Sequence, residues 1–217
     1  MDRRFPKVRG SLARFQHHGY SMKIPARAFS LVELLVVIGI IALLSVLAVP
    51  ALNSVLQGGQ LSQATTLSIS TFSQAMQLAT SDNKSVTVRL IAGSGGGKYR
   101  YLQLLGRKTD GSIRALDRLV KLPDTAQIAT NPALTSFFNR PVQTAGTGDP
   151  ALPDLGTGYR FVEFQIRPNG RLGLDVEKKW FITLFAERED PARLSPPANF
   201  VTIQIDPVNG GITFFRP

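Results

Sequence analysis

The stretch "PARAFSLVELLVVIGIIALLSVLAVPAL", Pro25 to Leu52, decides how the chain is read. From Phe29 to Val49 only Ser30, Glu33, Gly39 and Ser45 interrupt an apolar run of 21 residues. As a helix rising about 1.5 Å per residue, this run reaches roughly 30 Å, the thickness of a bilayer's hydrocarbon core. A carboxylate, Glu33, stands fifth when Phe29 is counted as the first residue. An acid at membrane depth costs about 2.5–3.5 kcal/mol even on the gentler insertion scales, so a partner is expected to offset it.

Working outward, the flank before the run is basic. Residues 1–28 carry Arg3, Arg4, Lys7, Arg9, Arg14, Lys23 and Arg27 against Asp2, a net +6, while the remainder of the chain carries +4. That asymmetry holds an amino terminus in the cytoplasm and sends the following domain across the membrane. It also weakens a nucleic-acid reading of the overall charge of +10, because most of the excess lies in the leader. His17 and His18 lie there too, and the chain has no cysteine. Without the leader, the commonest general base and metal ligand and every thiol chemistry are missing. The chain therefore reads as a non-enzyme that needs no cofactor and no metal.

Three topogenic readings compete for the apolar run. A secretory signal has a shorter core of about 7–15 residues and a small-x-small cleavage site. Ala48-Val49-Pro50-Ala51 supplies no good site, and the Arg3-Arg4 pair lies too far upstream for a twin-arginine signal. A plain signal anchor explains length and charge but leaves Glu33 unexplained. In the third reading the cut falls before the run. "AFSLVELLVVI", Ala28 to Ile38, resembles the class III signal of type IV prepilins and pseudopilins, with a basic leader, a small-Phe junction and a glutamate at the fifth mature position.

The resemblance implies specific roles. A prepilin peptidase would cleave between Ala28 and Phe29 and methylate the new amine of Phe29. Glu33 would be the assembly glutamate, pairing with the Phe29 amine of a neighbouring subunit inside an apolar helical bundle, where a paired acid is tolerated and an unpaired one penalised. Pro50 falls where many pilins carry a helix-bending proline. The family usually has Gly where Ala28 stands, and a leader of 28 residues is long for it. A start at Met22 would leave "MKIPARA", a seven-residue basic leader of ordinary length. The implied partners are the peptidase, other pilin or pseudopilin subunits, the assembly platform with its ATPase, and the membrane.

After Pro50 the helical signal resumes in a polar, Ser-, Thr- and Gln-rich segment. Leu61, Ala64, Leu67 or Ser68, Phe72, Ala75 and Ala79 recur every three or four residues, an amphipathic stripe facing a globular partner. Gly58-Gly59 is a weak point where the helix could kink or melt, and Ser81-Asp82-Asn83 reads as its stop. From residue 84 the period changes to two. Strands are expected at 85–91, 98–105, 159–166, 171–176, 179–186, 200–205 and 212–215, with a hairpin at "AGSGGG". "RALDRLVKLPDTAQIA" reads as a further short strand or turn, and residues 131–158 as loop. The order resembles the GspH/FimT-type minor pseudopilins, and more remotely the Verru_Chthon cassette protein D group. The expected fold is α+β and pilin-like. A long N-terminal helix, transmembrane over 29–50 and amphipathic over 51–83, packs on an antiparallel β head at 84–217. The head would lie outside the bacterial inner membrane, first on a single-pass anchor and then on an envelope filament.

Other motifs fail on inspection. "GSGGGK" has Ala92 where a phosphate loop needs its first Gly and Tyr99 where it needs Ser or Thr. "SDNK" superimposes a Ser-x-x-Lys on a Ser-Asp-Asn, two motifs that lie far apart in penicillin-recognising enzymes. Glu163, Glu187, Glu189 and Asp190 read as solvated acids, with no spacing for calcium. Lys178 and Lys179 before Trp180, with Arg160, Arg167 and Arg171, form the alternative reading. Cations among aromatics can grip phosphates and stack bases, and some FimT-type minor pilins take up DNA.

Overall fold

A computed structural model describes residues 30–93 and 97–217, with the backbone alone described for 47–57. The chain divides into two compact units, Met1–Val46 and Leu47–Pro217. The boundary falls inside the helix α1, Leu31–Ser81. The helical backbone continues through Pro50, which has no N–H to give the ladder, and through Gly58-Gly59, which the sequence marks as a weak point. Ser62 Oγ bonds back to the Gly58 carbonyl at 3.0 Å. Among the described residues no helix is long and apolar enough to cross a membrane.

The helix stops where the Ser-Asp-Asn signal places it. Asn83 takes a left-handed φ of 49°, and the Lys84 N–H reaches back to the Ala79 carbonyl at 3.2 Å. This is the six-to-one bond of a Schellman cap, for which Asn is the usual substitute for Gly. The stripe is also confirmed, and its ambiguous position is resolved. Leu61, Ala64, Ser68, Phe72, Ala75 and Ala79 are buried, while Leu67 packs only at the margin. Thr65 and Thr71 are buried as well. These hydroxyls bond carbonyls of their own helix, Thr65 to Leu61 at 2.8 Å, Ser68 to Ala64 at 2.9 Å and Thr71 to Leu67 at 2.7 Å. Each hydroxyl thus enters the core with its donor satisfied.

Two antiparallel sheets form the head. Sheet 1 is built on β1 (Val86–Ala92), β2 (Tyr99–Arg107) and, later in the chain, β7 (Arg160–Ile166). The short β3 (Ile113–Ala115) and β4 (Val120–Lys121) pair with the outer side of β2, and β6 (Gln143–Thr144) with that of β7. Sheet 2 runs β10-β9-β8-β5, from β5 (Ala126–Ile128), β8 (Trp180–Ala186), β9 (Phe200–Ile205) and β10 (Ile212–Phe215). The rims of both sheets are strands of two to four residues. The single antiparallel head expected from the sequence is therefore split in two, with the helix stripe and the inner faces of both sheets sharing one core.

One expected strand is absent. "RLGLDV" (171–176) makes only an isolated bridge, Ile166 to Leu172, after a turn in which Gly170 has φ 77°. Leu172 and Leu174 are buried. Their alternation reflects two side chains dipping into the core, with no ladder beneath them. Residues 131–158 conceal structure that the loop reading missed. A single 3₁₀ turn, Ser136–Asn139, sets the fully buried Phe137 between Phe164 of sheet 1 and Trp180 of sheet 2. Ring centroids are 4.7 Å and 5.3 Å apart.

Candidate functional site

The described amino-terminal helix begins at a serine cap. Ser30 Oγ accepts from the Glu33 N–H at 3.1 Å, and the Ser30 carbonyl accepts the first helical bond, from Leu34, at 3.1 Å. Ser30 and Glu33 thus occupy the N-cap and N3 positions of an S-x-x-E capping sequence, with the acid in the turn where the helix dipole favours negative charge. Beyond the cap, Leu31, Val32, Leu34 to Ile38, Ile40, Ile41, Leu43, Leu44 and Val46 are all exposed, from 44% at Val37 to 80% at Leu31. They cover every side of the helix. A helix that is apolar all round belongs inside lipid or a larger packed assembly. Ala28 and Phe29 lie outside the described residues, and of Pro50 only the helical backbone is described.

In the head the sequence reading overlooked a buried cation. On the outer face of sheet 1, Arg89 is 4% exposed. Its Nη1 meets Asp149 Oδ1 at 2.6 Å, its Nε donates to Glu163 Oε2 at 2.8 Å, and its Cζ sits 3.8 Å from the centroid of the Phe161 ring. Burial on its own would lower the pKa of Arg89, but hydrogen bonds to Glu163 and Asp149 outweigh it and raise it above the ordinary value. Tyr159 donates to the Pro150 carbonyl at 3.2 Å, and burial raises its pKa. Asp149 also accepts from the Gly146 N–H at 2.8 Å. Together these contacts bind the 145–159 segment over Ile91, Tyr101 and Phe161. Glu163 is therefore an ion-pair partner, as are Glu187 with Lys98 (2.5 Å) and Glu189 with Arg193 (2.6 Å). The solvated-acid reading of these three is corrected. The signal for Arg89 lay in register, since Arg89 stands directly opposite Glu163 across β1 and β7.

The five basic residues singled out in the sequence fall in separate places. Arg160 opens β7 and Arg167 follows its far end, so that seven residue steps, about 23 Å, separate them. Arg167 and Arg171 flank one tight turn, joined by an N–H to carbonyl bond of 2.8 Å. Lys178 and Lys179 are exposed, and Lys178 pairs with Asp175 at 3.3 Å. The aromatic neighbours do not face solvent with them. Trp180, Phe161 and Phe164 are buried, and the Trp180 Nε1 donates to the Asp175 carbonyl at 2.8 Å. Base stacking on these rings is therefore unavailable.

A different grouping emerges around Arg167. Thr87 of β1 faces Leu105 of β2 and Gln165 of β7. Two residues further along the same face come Arg107, Ser85 and Arg167. Lys84 and Lys108 join Ser85 and Arg107 in lining an open cleft of about 390 Å³. Among the described residues none of Lys84, Arg107, Lys108, Arg167 and Arg171 enters an ion pair.

Residues 25–49 match the family described as the prokaryotic N-terminal methylation motif. No curated protein sequence is similar to this chain. Among solved structures, similarity is found to two of the minor pseudopilin EpsH from the type 2 secretion system of Vibrio cholerae. Both are 11% identical; one covers 75% of this chain and 96% of that chain at a TM-score of 0.44, the other 73% and 94% at 0.38. The type IV minor pilin FimU of Pseudomonas aeruginosa is 12% identical, with 73% of this chain and 93% of that chain covered and a TM-score of 0.42. Likenesses this faint carry no functional meaning by themselves. The motif is specific, however, and it covers the capped, apolar start of the helix: residues 25–49 carry a prokaryotic N-terminal methylation motif at the head of an α+β chain.

Proposed function

We propose that the chain is a non-enzymatic minor pseudopilin or pilin subunit of a type II secretion or type IV pilus-like filament. The observation that carries this reading is the helix from Leu31 to Val46, apolar on all sides, exposed, and lying within the methylation motif. In this reading the leader stays in the cytoplasm, Phe29–Val49 spans the bacterial inner membrane and the β head lies outside. The peptidase cuts between Ala28 and Phe29 and methylates Phe29. The platform and its ATPase then move the helix from lipid into a bundle of like helices, with Pro50 bending it. Glu33, held in the first turn by the Ser30 cap, meets the Phe29 amine of a neighbour. In that apolar setting the pair is tolerated while a lone acid is penalised, so the pair favours one register.

Amino-terminal sequencing and intact mass of the membrane-extracted protein test this directly. Cells with an active prepilin peptidase should yield a chain beginning at methylated Phe29, and an uncut leader there would sink the reading. Glu33→Ala should be cut normally yet be missing from sheared filaments.

A second reading, contact with duplex nucleic acid, is favoured by the unpaired cations around Arg107 and Arg167. With no exposed ring beside them, the contacts would be to phosphates. Replacing both arginines by Gln should then lower the salt slope of duplex binding by about 2. An unchanged slope, or no binding at low salt, removes this reading.

A further inference from the structure

A second cleft lies at the other end of sheet 1, where β2 and β7 begin. It has a volume of about 440 Å³, inside the range of small-ligand pockets. Its apolar lining comes from Tyr99, Phe138, Val142 and Pro191, with the Tyr99 and Phe138 rings packed edge to face at 4.7 Å. Val142 is 39% exposed, so part of this lining is open to solvent. The Pro191 side is fixed by a 2.7 Å bond from the Thr130 N–H to the Pro191 carbonyl.

Two polar groups in the cleft have no use within the head. The Tyr99 hydroxyl is buried and has no hydrogen-bond partner among the described residues. Buried tyrosine hydroxyls are normally bonded, so an orphan requires an explanation. Arg160 is exposed at the rim and forms no ion pair among the described residues. Lys98, the other cation there, is already engaged by the Glu187 carboxylate and carbonyl at 2.5 Å and 2.6 Å. Burial raises the pKa of Tyr99, an effect that the charge of Arg160 partly offsets, so the hydroxyl remains a donor at neutral pH. A neutral donor and a free guanidinium above an apolar floor suit one kind of guest.

We infer that this cleft binds an apolar carboxylate of about phenylalanine size, its hydrocarbon on Phe138, Val142 and Pro191 and its carboxylate between Arg160 and the Tyr99 hydroxyl. A free aromatic acid and the carboxyl-terminal residue of a polypeptide share this chemistry. The site does not depend on the filament reading.

The test is an NMR titration of the full-length chain in detergent micelles with 3-phenylpropanoate, using empty micelles as the control for partitioning. Saturable shifts are expected at the Gly97 and Thr130 amides and the Val142 methyls. Arg160→Gln, a surface change, should weaken binding about fivefold, as should the uncharged 3-phenylpropanamide. Tyr99→Phe removes only the hydroxyl and should also weaken it. N-acetylphenylalanine separates the two sources: binding as tight as the bare acid supports a polypeptide terminus, and binding of the bare acid alone supports a free acid. The inference is overturned if no saturable shift occurs up to the solubility of the acid. Equal binding of acid and amide, or of wild type and both variants, overturns it equally.

Discussion

Phe137→Ala should lower the unfolding free energy of the head by about 3–5 kcal/mol, the range for deleting a buried aromatic ring. Its ring touches Phe164 on one sheet and Trp180 on the other, so the cavity would open where the two sheets meet. The surroundings are poorly placed to collapse into it, because hydroxyls stitch the 3₁₀ turn to β8. Ser136 Oγ accepts from the Phe181 N–H at 2.8 Å, Thr135 Oγ1 accepts from the Thr183 N–H at 3.2 Å, and the Thr183 hydroxyl donates to the Leu134 carbonyl. Trp180 is the only tryptophan and packs against the altered position, so its fluorescence reports the transition. Urea titration should show a lower midpoint with the slope preserved. Phe137→Leu, which keeps much of the apolar volume, should cost clearly less. A loss below about 1 kcal/mol for the alanine variant would place the junction between the sheets elsewhere.

Arg89→Ala should cost about 3 kcal/mol, at the lower end for breaking a buried ion pair because Glu163 retains 28% exposure and water can reach it. The loss has a local signature as well. Without the guanidinium, Asp149 keeps only its Gly146 contact and the Phe161 ring loses its cation. Limited proteolysis should therefore cut between residues 145 and 159 well before the rest of the head is attacked. Arg89→Lys retains the charge but cannot reproduce the fork of Nε and Nη1, so it should restore only part of the stability. Cleavage kinetics unchanged from wild type would show that the segment is held by its apolar contacts alone.

What could be read from the sequence was whatever repeats with a period. The stripe from Leu61 to Ala79 and the alternation in β1, β7, β8 and β9 follow from burial on one face, which a linear pattern records. Ser68 could not be chosen over Leu67, because the choice depends on a bond to the helix's own backbone at Ala64. Leu172 and Leu174 imitated a strand because burial alternates there without a neighbouring strand to pair with. Phe137 and Arg89 were hidden for a different reason. Each draws its meaning from partners 27 to 74 residues away, on strands whose order no local pattern reveals. At the amino terminus the legible unit was chemical, a glutamate in an apolar run behind a basic leader. The structure adds the Ser30 cap that fixes its turn.

The short outer strands have a consequence for crowding. β3, β4, β5, β6 and β10 give each sheet rims of only two to four residues, too few open backbone groups to recruit another sheet. Copies of the head held side by side at high local concentration therefore have little means of fusing edge to edge into cross-strand aggregates. In the filament proposed above, cohesion would then fall to the apolar helix, and a head would meet its neighbours without sticking to them irreversibly.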